Sequence, residues 1–221
     1  MTPRLSDPNQ WWNHYAEEYA GRTWTNYRWL LVEFIQFANE GPLLDVGCGY
    51  GFLTECARRF NIPATGLEAS STAVERARRL HPLADIQAWR GGEPLPLANG
   101  SIGGAIMNEF IDHITPQQNE LLFAELIRVL KPGGVIIVKS PSRFNRFDND
   151  AGHLTFFSPA EFRAFVSGFG FDVIQQPFSP QPLLGQSRLG RSLMTAATRW
   201  VRRDRWAARI DLVARKPAGH I

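Results

Sequence analysis

Cysteine is nearly absent. Cys48 and Cys56 are the only two in 221 residues, which excludes a disulfide framework, and without a matching histidine pair they make a weak metal site. Both are read as structural thiols, and no metal is expected. Long apolar runs are missing too: none approaches the roughly 20 residues needed to cross a bilayer, and the N-terminus lacks an apolar signal segment. A cytoplasmic protein is expected. Charged residues make up only 20% of the chain, with a net charge of +3, so bulk composition does not call for a nucleic-acid partner. No internal repeat or low-complexity segment is evident. What remains is 44% hydrophobic, and the length suits one α/β core with appendages rather than two domains.

The most informative stretch is Leu43-Leu44-Asp45-Val46-Gly47-Cys48-Gly49-Tyr50-Gly51-Phe52-Leu53-Thr54. It reads as a buried strand, a turn with three alternating glycines and the start of a helix. That is the first βα unit of a nucleotide-type site, where glycines let a ligand approach the main chain. The dinucleotide fingerprint fails in both frames, because Phe52 or Thr54 stands where its last small residue belongs. A phosphate-binding P-loop fails as well, since no Gly-Lys-Ser/Thr follows.

Around this unit the pattern alternates. Asp7-Pro8-Asn9-Gln10 has the form of a helix start, leading into Trp11, Trp12, Tyr15 and Tyr19. A second helix is predicted over 27–39. Further strands are predicted at 64–68, 86–89, 102–108 and 135–139, the fourth weakened by Gly103-Gly104. Ser70-Ser71 caps a helix ending at Leu80. Capping boxes at Thr115-Pro116-Gln117-Gln118 and Ser158-Pro159-Ala160-Glu161 open two more helices, and Lys131-Pro132-Gly133-Gly134 closes the first of them. Two final strands are predicted at 171–175 and 208–214. Strands alternating with helices indicate a parallel sheet covered on both faces, whose ligands bind at the carboxyl ends of the strands. Gly47, Glu68, the loop from Arg90 and the segment 108–113 all fall at that edge.

With these residues in place, the chain resembles the class I S-adenosylmethionine-dependent methyltransferases of the small-molecule type, over roughly residues 40 to 175. The resemblance implies a Rossmann-like α/β fold with a seven-stranded, mostly parallel sheet, helices on both faces and the last strand antiparallel. It divides the chain into a helical lid or substrate segment (1–40), the donor-binding core (41–178), a basic helical insertion (179–206) and a final strand with tail (207–221). It makes Asp45, Gly47, Cys48, Gly49 and Gly51 the donor-binding turn and Glu68, followed by Ala69, the acid for both ribose hydroxyls. Glu68 ends its strand about 20 residues beyond Asp45, the separation at which a carboxylate in such folds reaches a ribose. The helix N-terminus after Gly51 suits the donor's carboxylate. Gly91 and Gly103 replace aspartates common in the family, which leaves Gly92, Glu93, backbone groups or apolar packing to hold adenine. Asn108 completes the strand-four edge, and Tyr15 and Tyr19 either close over the donor's methionine end or pack.

Methyl transfer from a sulfonium is a one-step displacement, so the protein mainly aligns the acceptor. A hydroxyl or protonated amine also needs a base. His113, just beyond strand four, is the first candidate and His153 the second. The expected acceptor is an apolar or aromatic small molecule, methylated preferentially on oxygen, with nitrogen or carbon as alternatives. No Asn-Pro-Pro-Tyr-type motif marks a macromolecular amine target, and no nucleic-acid partner is expected. Other readings are a non-catalytic donor-binding regulator and an enzyme acting on a lipid, a quinone or a macromolecule. Arg188, Arg191, Arg199, Arg202 and Arg203, with Leu189, Leu193, Met194 and Trp200, can form an amphipathic helix over 187–203. That helix is either a solvated face or a peripheral membrane contact.

Overall fold

The computed structural model describes residues 21–38, 40–145, 152–177 and 207–219. The segment carrying Tyr15 and Tyr19, residues 146–151 and the basic stretch 187–203 lie outside the described residues. A 3-10 turn, Trp24–Tyr27, leads into helix α1, Arg28–Phe37. The core then runs β1 Leu43–Val46, α2 Phe52–Arg59, β2 Ala64–Glu68, α3 Ser71–Leu80 and β3 Asp85–Ala88. It continues through β4 Ile102–Asn108, α4 Pro116–Val129, β5 Leu130–Pro141, α5 Pro159–Gly168, β6 Asp172–Gln175 and β7 Arg209–Arg215. Among the described residues, no helix is long and apolar enough to cross a membrane.

All seven strands join one sheet in the order β3-β2-β1-β4-β5-β7-β6. The first five pair in parallel, and β7 runs antiparallel to both β5 and β6. The expected fold class holds, including the reversed last strand. Strand residues alternate between two cores, as a pleated sheet covered on both sides requires. Leu44, Val46, Met107, Ile136 and Val138 face Leu122, Phe123 and Leu126 of α4 and Phe162 of α5. Leu43, Ile106, Ile137 and Val213 face Leu30, Leu31 and Phe34 of α1 and Leu53 and Cys56 of α2. Crossover connections therefore put the helices on opposite faces, and every β-to-α loop of the parallel strands opens at one edge.

Local signals explain the boundaries. Ser70 caps α3 by accepting the Ala73 N–H, and capping boxes at Thr115 and Ser158 start α4 and α5 at their prolines. Two expectations are refined. The pairing of β4 with β5 is irregular at Gly103-Gly104, yet β4 runs on through both glycines as a central strand buried from Ile102 to Met107. A Cβ on Gly104 would lie 2.9 Å from both the Phe34 ring and the Val135 carbonyl oxygen, so the missing side chain is what lets α1 and β5 pack against β4. The stretch Lys131 to Gly134 is likewise no simple turn ahead of β5, which starts at Leu130. Gly133 N–H donates to Lys216 O and Lys216 N–H donates to Gly134 O. The chain leaving β7 thus pairs with this stretch, and the irregularity is taken up as a register shift against β4 between Ile102 and Gly104.

Candidate active site

The glycine turn leaves β1 at the carboxyl edge of the sheet and is fastened to β2. Gly47 and Cys48 donate their N–H groups to Leu67 O. Glu68 then holds the turn from the neighbouring strand. One of its carboxylate oxygens, Oε2, accepts the Gly49 N–H at 3.0 Å, and the other, Oε1, accepts the Ser70 N–H at 2.9 Å. Its side chain is 6% exposed. The two backbone donors fix the orientation of the carboxylate, each bonding a different oxygen. Ala69, half-buried, sits between these contacts.

Asp45 lies at the centre of the sheet and accepts the Thr54 hydroxyl at 2.8 Å, tying β1 to the first turn of α2. Burial pushes its carboxyl up to about 7, against the opposing pull of the Thr54 hydrogen bonds. Burial also raises the Cys48 thiol well above its ordinary value, so this sulfur is neutral. A cleft lined by Tyr27, Asp45, Gly47, Cys48, Gly49, Leu53 and Asn108 opens here. Asp45, Gly47, Cys48, Gly49 and Asn108 thus line one cleft, as the sequence pattern anticipates. Gly51 is not in that lining; it is the N-cap of α2, in the left-handed region at φ +73°.

Tyr27 and Leu53 are members of the cleft that sequence reasoning missed. Tyr27 stacks on Phe52 with ring centroids 5.8 Å apart. Periodicity marked Tyr27 only as an aromatic helix position, and nothing local told it apart from Tyr15 and Tyr19. Phe110 was missed as well; its ring covers Gly47 closely enough that a Cβ there would stand 2.2 Å from Cδ2. Gly92 and Glu93 are not in that cleft lining. They belong to the loop after β3, where the Trp89 indole N–H donates to Glu93 O and the Glu93 side chain is exposed beside the Arg90 N–H.

His113 and His153, 40 positions apart in sequence, meet on one buried carboxylate. Asp112 Oδ2 lies 2.8 Å from His153 Nε2 and 3.4 Å from His113 Nε2, and the two imidazole centroids are 4.7 Å apart. The backbone fixes this meeting, because Asp112 O accepts the N–H groups of Leu154 and Thr155. Burial alone would raise the Asp112 carboxyl; the two imidazoles outweigh it and hold the group below its ordinary value. His113 is the more open of the pair, 17% exposed against 6%. The same three side chains are those whose ligand atoms converge closely enough to hold a metal ion.

Residues 44–138 match the family described as a methyltransferase domain. Trans-aconitate 2-methyltransferase of Rhizobium meliloti is 31% identical over 175 residues, covering 75% of this chain and 60% of that protein. In this domain and in its fold the chain is similar to the class I S-adenosylmethionine-dependent methyltransferases. A second methyltransferase relative, tRNA N(3)-methylcytidine methyltransferase of Schizosaccharomyces pombe, is 25% identical over 162 residues, covering 64% of this chain and 52% of its own length. The chain thus spans little more than half the length of these two methyltransferases. Among solved structures, a SAM-dependent methyltransferase from Archaeoglobus fulgidus superposes with a TM-score of 0.68 at 16% identity, over 93% of this chain and 100% of the other. That likeness concerns the methyltransferase fold.

Proposed function

We propose that this protein transfers the methyl group of S-adenosylmethionine to an oxygen of a small-molecule acceptor with an apolar or aromatic body. The observation that carries the donor half is Glu68, a buried carboxylate held by the Gly49 and Ser70 N–H groups beside the glycine turn at the carboxyl end of β2. Such a carboxylate suits the paired hydroxyls of a ribose. Asp45, with Thr54 fixing its orientation, suits the ammonium of the donor's methionine end. The acceptor half rests on the Asp112–His113–His153 cluster, whose Asp112 lies four residues beyond Asn108. His113, the more open imidazole, takes the acceptor's proton. Aromatic rings at Tyr27, Phe52, Trp89 and Phe110 give the neighbourhood its preference for a flat or apolar acceptor.

Calorimetry with S-adenosylmethionine and S-adenosylhomocysteine tests the donor half: both bind, and failure of both ends the reading. For the acceptor half, a panel of phenols and hydroxy acids is screened for S-adenosylhomocysteine release. With the best acceptor, His113→Ala keeps donor binding and loses about 10²- to 10⁴-fold in turnover; unchanged turnover removes His113 as the base.

The raised Asp45 carboxyl adds a pH signature. Because its folded value, about 7, lies above the ordinary 3.8, the group keeps its proton longer in the folded chain than in the unfolded one. Its contribution to stability is therefore full below about 4, declines as pH rises towards 7 and levels off beyond. Pairing with a donor ammonium has the opposite dependence, since only the ionised carboxylate attracts it. Donor affinity rises about tenfold between about pH 6 and pH 8, as the ionised fraction goes from roughly a tenth to nine tenths. Asp45→Asn flattens this rise while leaving any titration of the ligand itself in place. Equal slopes in the two proteins would remove Asp45 from ammonium binding.

A further inference from the structure

The buried Asp112 carboxylate is only half accounted for by hydrogen bonds. Its Oδ1 accepts the Ser140 hydroxyl at 3.0 Å. Its Oδ2, fully buried, receives no hydrogen bond of acceptable geometry, although His153 Nε2 and His113 Nε2 lie only 2.8 and 3.4 Å away. Both imidazoles are close enough to donate, yet neither approach has the alignment of a donated N–H. A buried carboxylate oxygen left this way is costly, and a cation drawn between the three atoms removes the cost.

We propose that Asp112, His113 and His153 bind one divalent transition-metal ion, of the zinc, iron(II) or manganese(II) class. Two imidazole nitrogens and one carboxylate oxygen are a recurrent three-ligand set for such ions, and they leave further positions open to water or substrate. Magnesium and calcium prefer all-oxygen surroundings and fit it less well. Metal bonds of about 2.0 to 2.2 Å require ligand atoms roughly 3 to 4 Å apart. Here they stand 2.8 and 3.4 Å from Oδ2 and within 4.8 Å overall, so a small rotation of one ring completes the site. The surrounding contacts orient the ligands as in metal proteins. Ser140 holds Oδ1, and His113 Nδ1 lies 3.4 Å from Gly152 O while its Nε2 faces Asp112 Oδ2. Glu109, paired with Arg209, adds an acid electrostatically coupled to Asp112 and His153.

The role of the ion rests on the methyl-transfer reading, and its binding does not. An acceptor hydroxyl taking an open position is acidified by the ion and loses its proton to water. The resulting oxygen forms its bond to the methyl carbon as the carbon–sulfur bond breaks, and that electron pair returns to sulfur, giving the methyl ether and S-adenosylhomocysteine. His113 then serves as a ligand, and coordination replaces it as the means of deprotonation.

The test uses the full chain, stripped with a chelator, desalted and titrated calorimetrically with zinc chloride and, separately, magnesium chloride. One equivalent of zinc binds with micromolar or tighter affinity and magnesium at least a hundredfold more weakly. His153→Ala and Asp112→Asn each weaken zinc by at least a hundredfold, with S-adenosylhomocysteine binding in the same samples as the check on folding. Should both variants unfold, His113→Ala, the more exposed position, must show the same loss. Cobalt(II) substituted for zinc gives visible absorption bands that these variants lose. No zinc binding by the parent chain, or undiminished binding by the folded variants, overturns the proposal. Zinc binding by a chain that binds neither S-adenosylmethionine nor S-adenosylhomocysteine keeps the metal site and removes its methyl-transfer role.

Discussion

Glu68→Ala is expected to weaken S-adenosylmethionine binding by about a hundredfold or more. A hydrogen bond to a charged acceptor contributes about 1.5 to 3 kcal/mol, and two ribose hydroxyls would each donate one. The variant also loses the two bonds that organise the site itself, since Gly49 N–H and Ser70 N–H are left without the Glu68 carboxylate. Part of the loss is thus disorder in the glycine turn. Glu68→Gln separates the two effects, because its amide oxygen still accepts from one backbone N–H but carries no charge. Calorimetry with S-adenosylhomocysteine should rank the parent chain first, Gln about tenfold weaker or more, and Ala last. Thermal unfolding without ligand, run alongside, measures how much of the Ala effect is structural. Ligand affinity unchanged in Glu68→Ala would remove the ribose role.

The glycine turn and the acid beside it were legible in the sequence because their signals are local. A glycine turn between a buried strand and a helix, and an acid closing the next strand, are set by residues close together in the chain. The ends of β2 and β4, and the caps at Ser70, Thr115 and Ser158, follow from the same kind of short-range chemistry. What the sequence hid is relational. His113 and His153 were each visible as candidates, but nothing in either segment indicated that Asp112 would bring them together, because that depends on Leu154 and Thr155 donating to Asp112 O across the fold. Tyr27 joined the cleft for a similar reason, through its stacking on Phe52. The part Gly104 plays in packing was hidden for the same reason. A glycine in an isolated strand weakens it, whereas one beneath Phe34 and beside Val135 is a requirement of packing.

Gly47→Ala is expected to destabilise the folded chain by about 2 to 5 kcal/mol and to weaken donor binding with it. Two separate penalties meet at this position. Gly47 has φ +72°, and a side chain in that left-handed region costs roughly 1 to 2 kcal/mol. The added Cβ would also stand 2.2 Å from Phe110 Cδ2 and 2.8 Å from Cγ, so the ring must move or the turn must shift, at a typical overpacking cost of about 1 to 3 kcal/mol. A double-mutant cycle with Phe110→Ala tells them apart. Removing the ring relieves the clash and leaves the backbone strain, so the alanine at position 47 should cost only about 1 to 2 kcal/mol in that background by urea unfolding. If instead its cost is the same with and without the Phe110 ring, the ring does not rest on the turn. Because Gly47 lines the cleft proposed for the donor and Phe110 stands two residues from Asp112, contact between ring and turn would also couple that cleft to the proposed acceptor cluster. Phe110→Ala alone should then change the KM for the acceptor while leaving the affinity for S-adenosylhomocysteine within about threefold of the parent, since the backbone of the turn remains fastened to Leu67 O and Glu68.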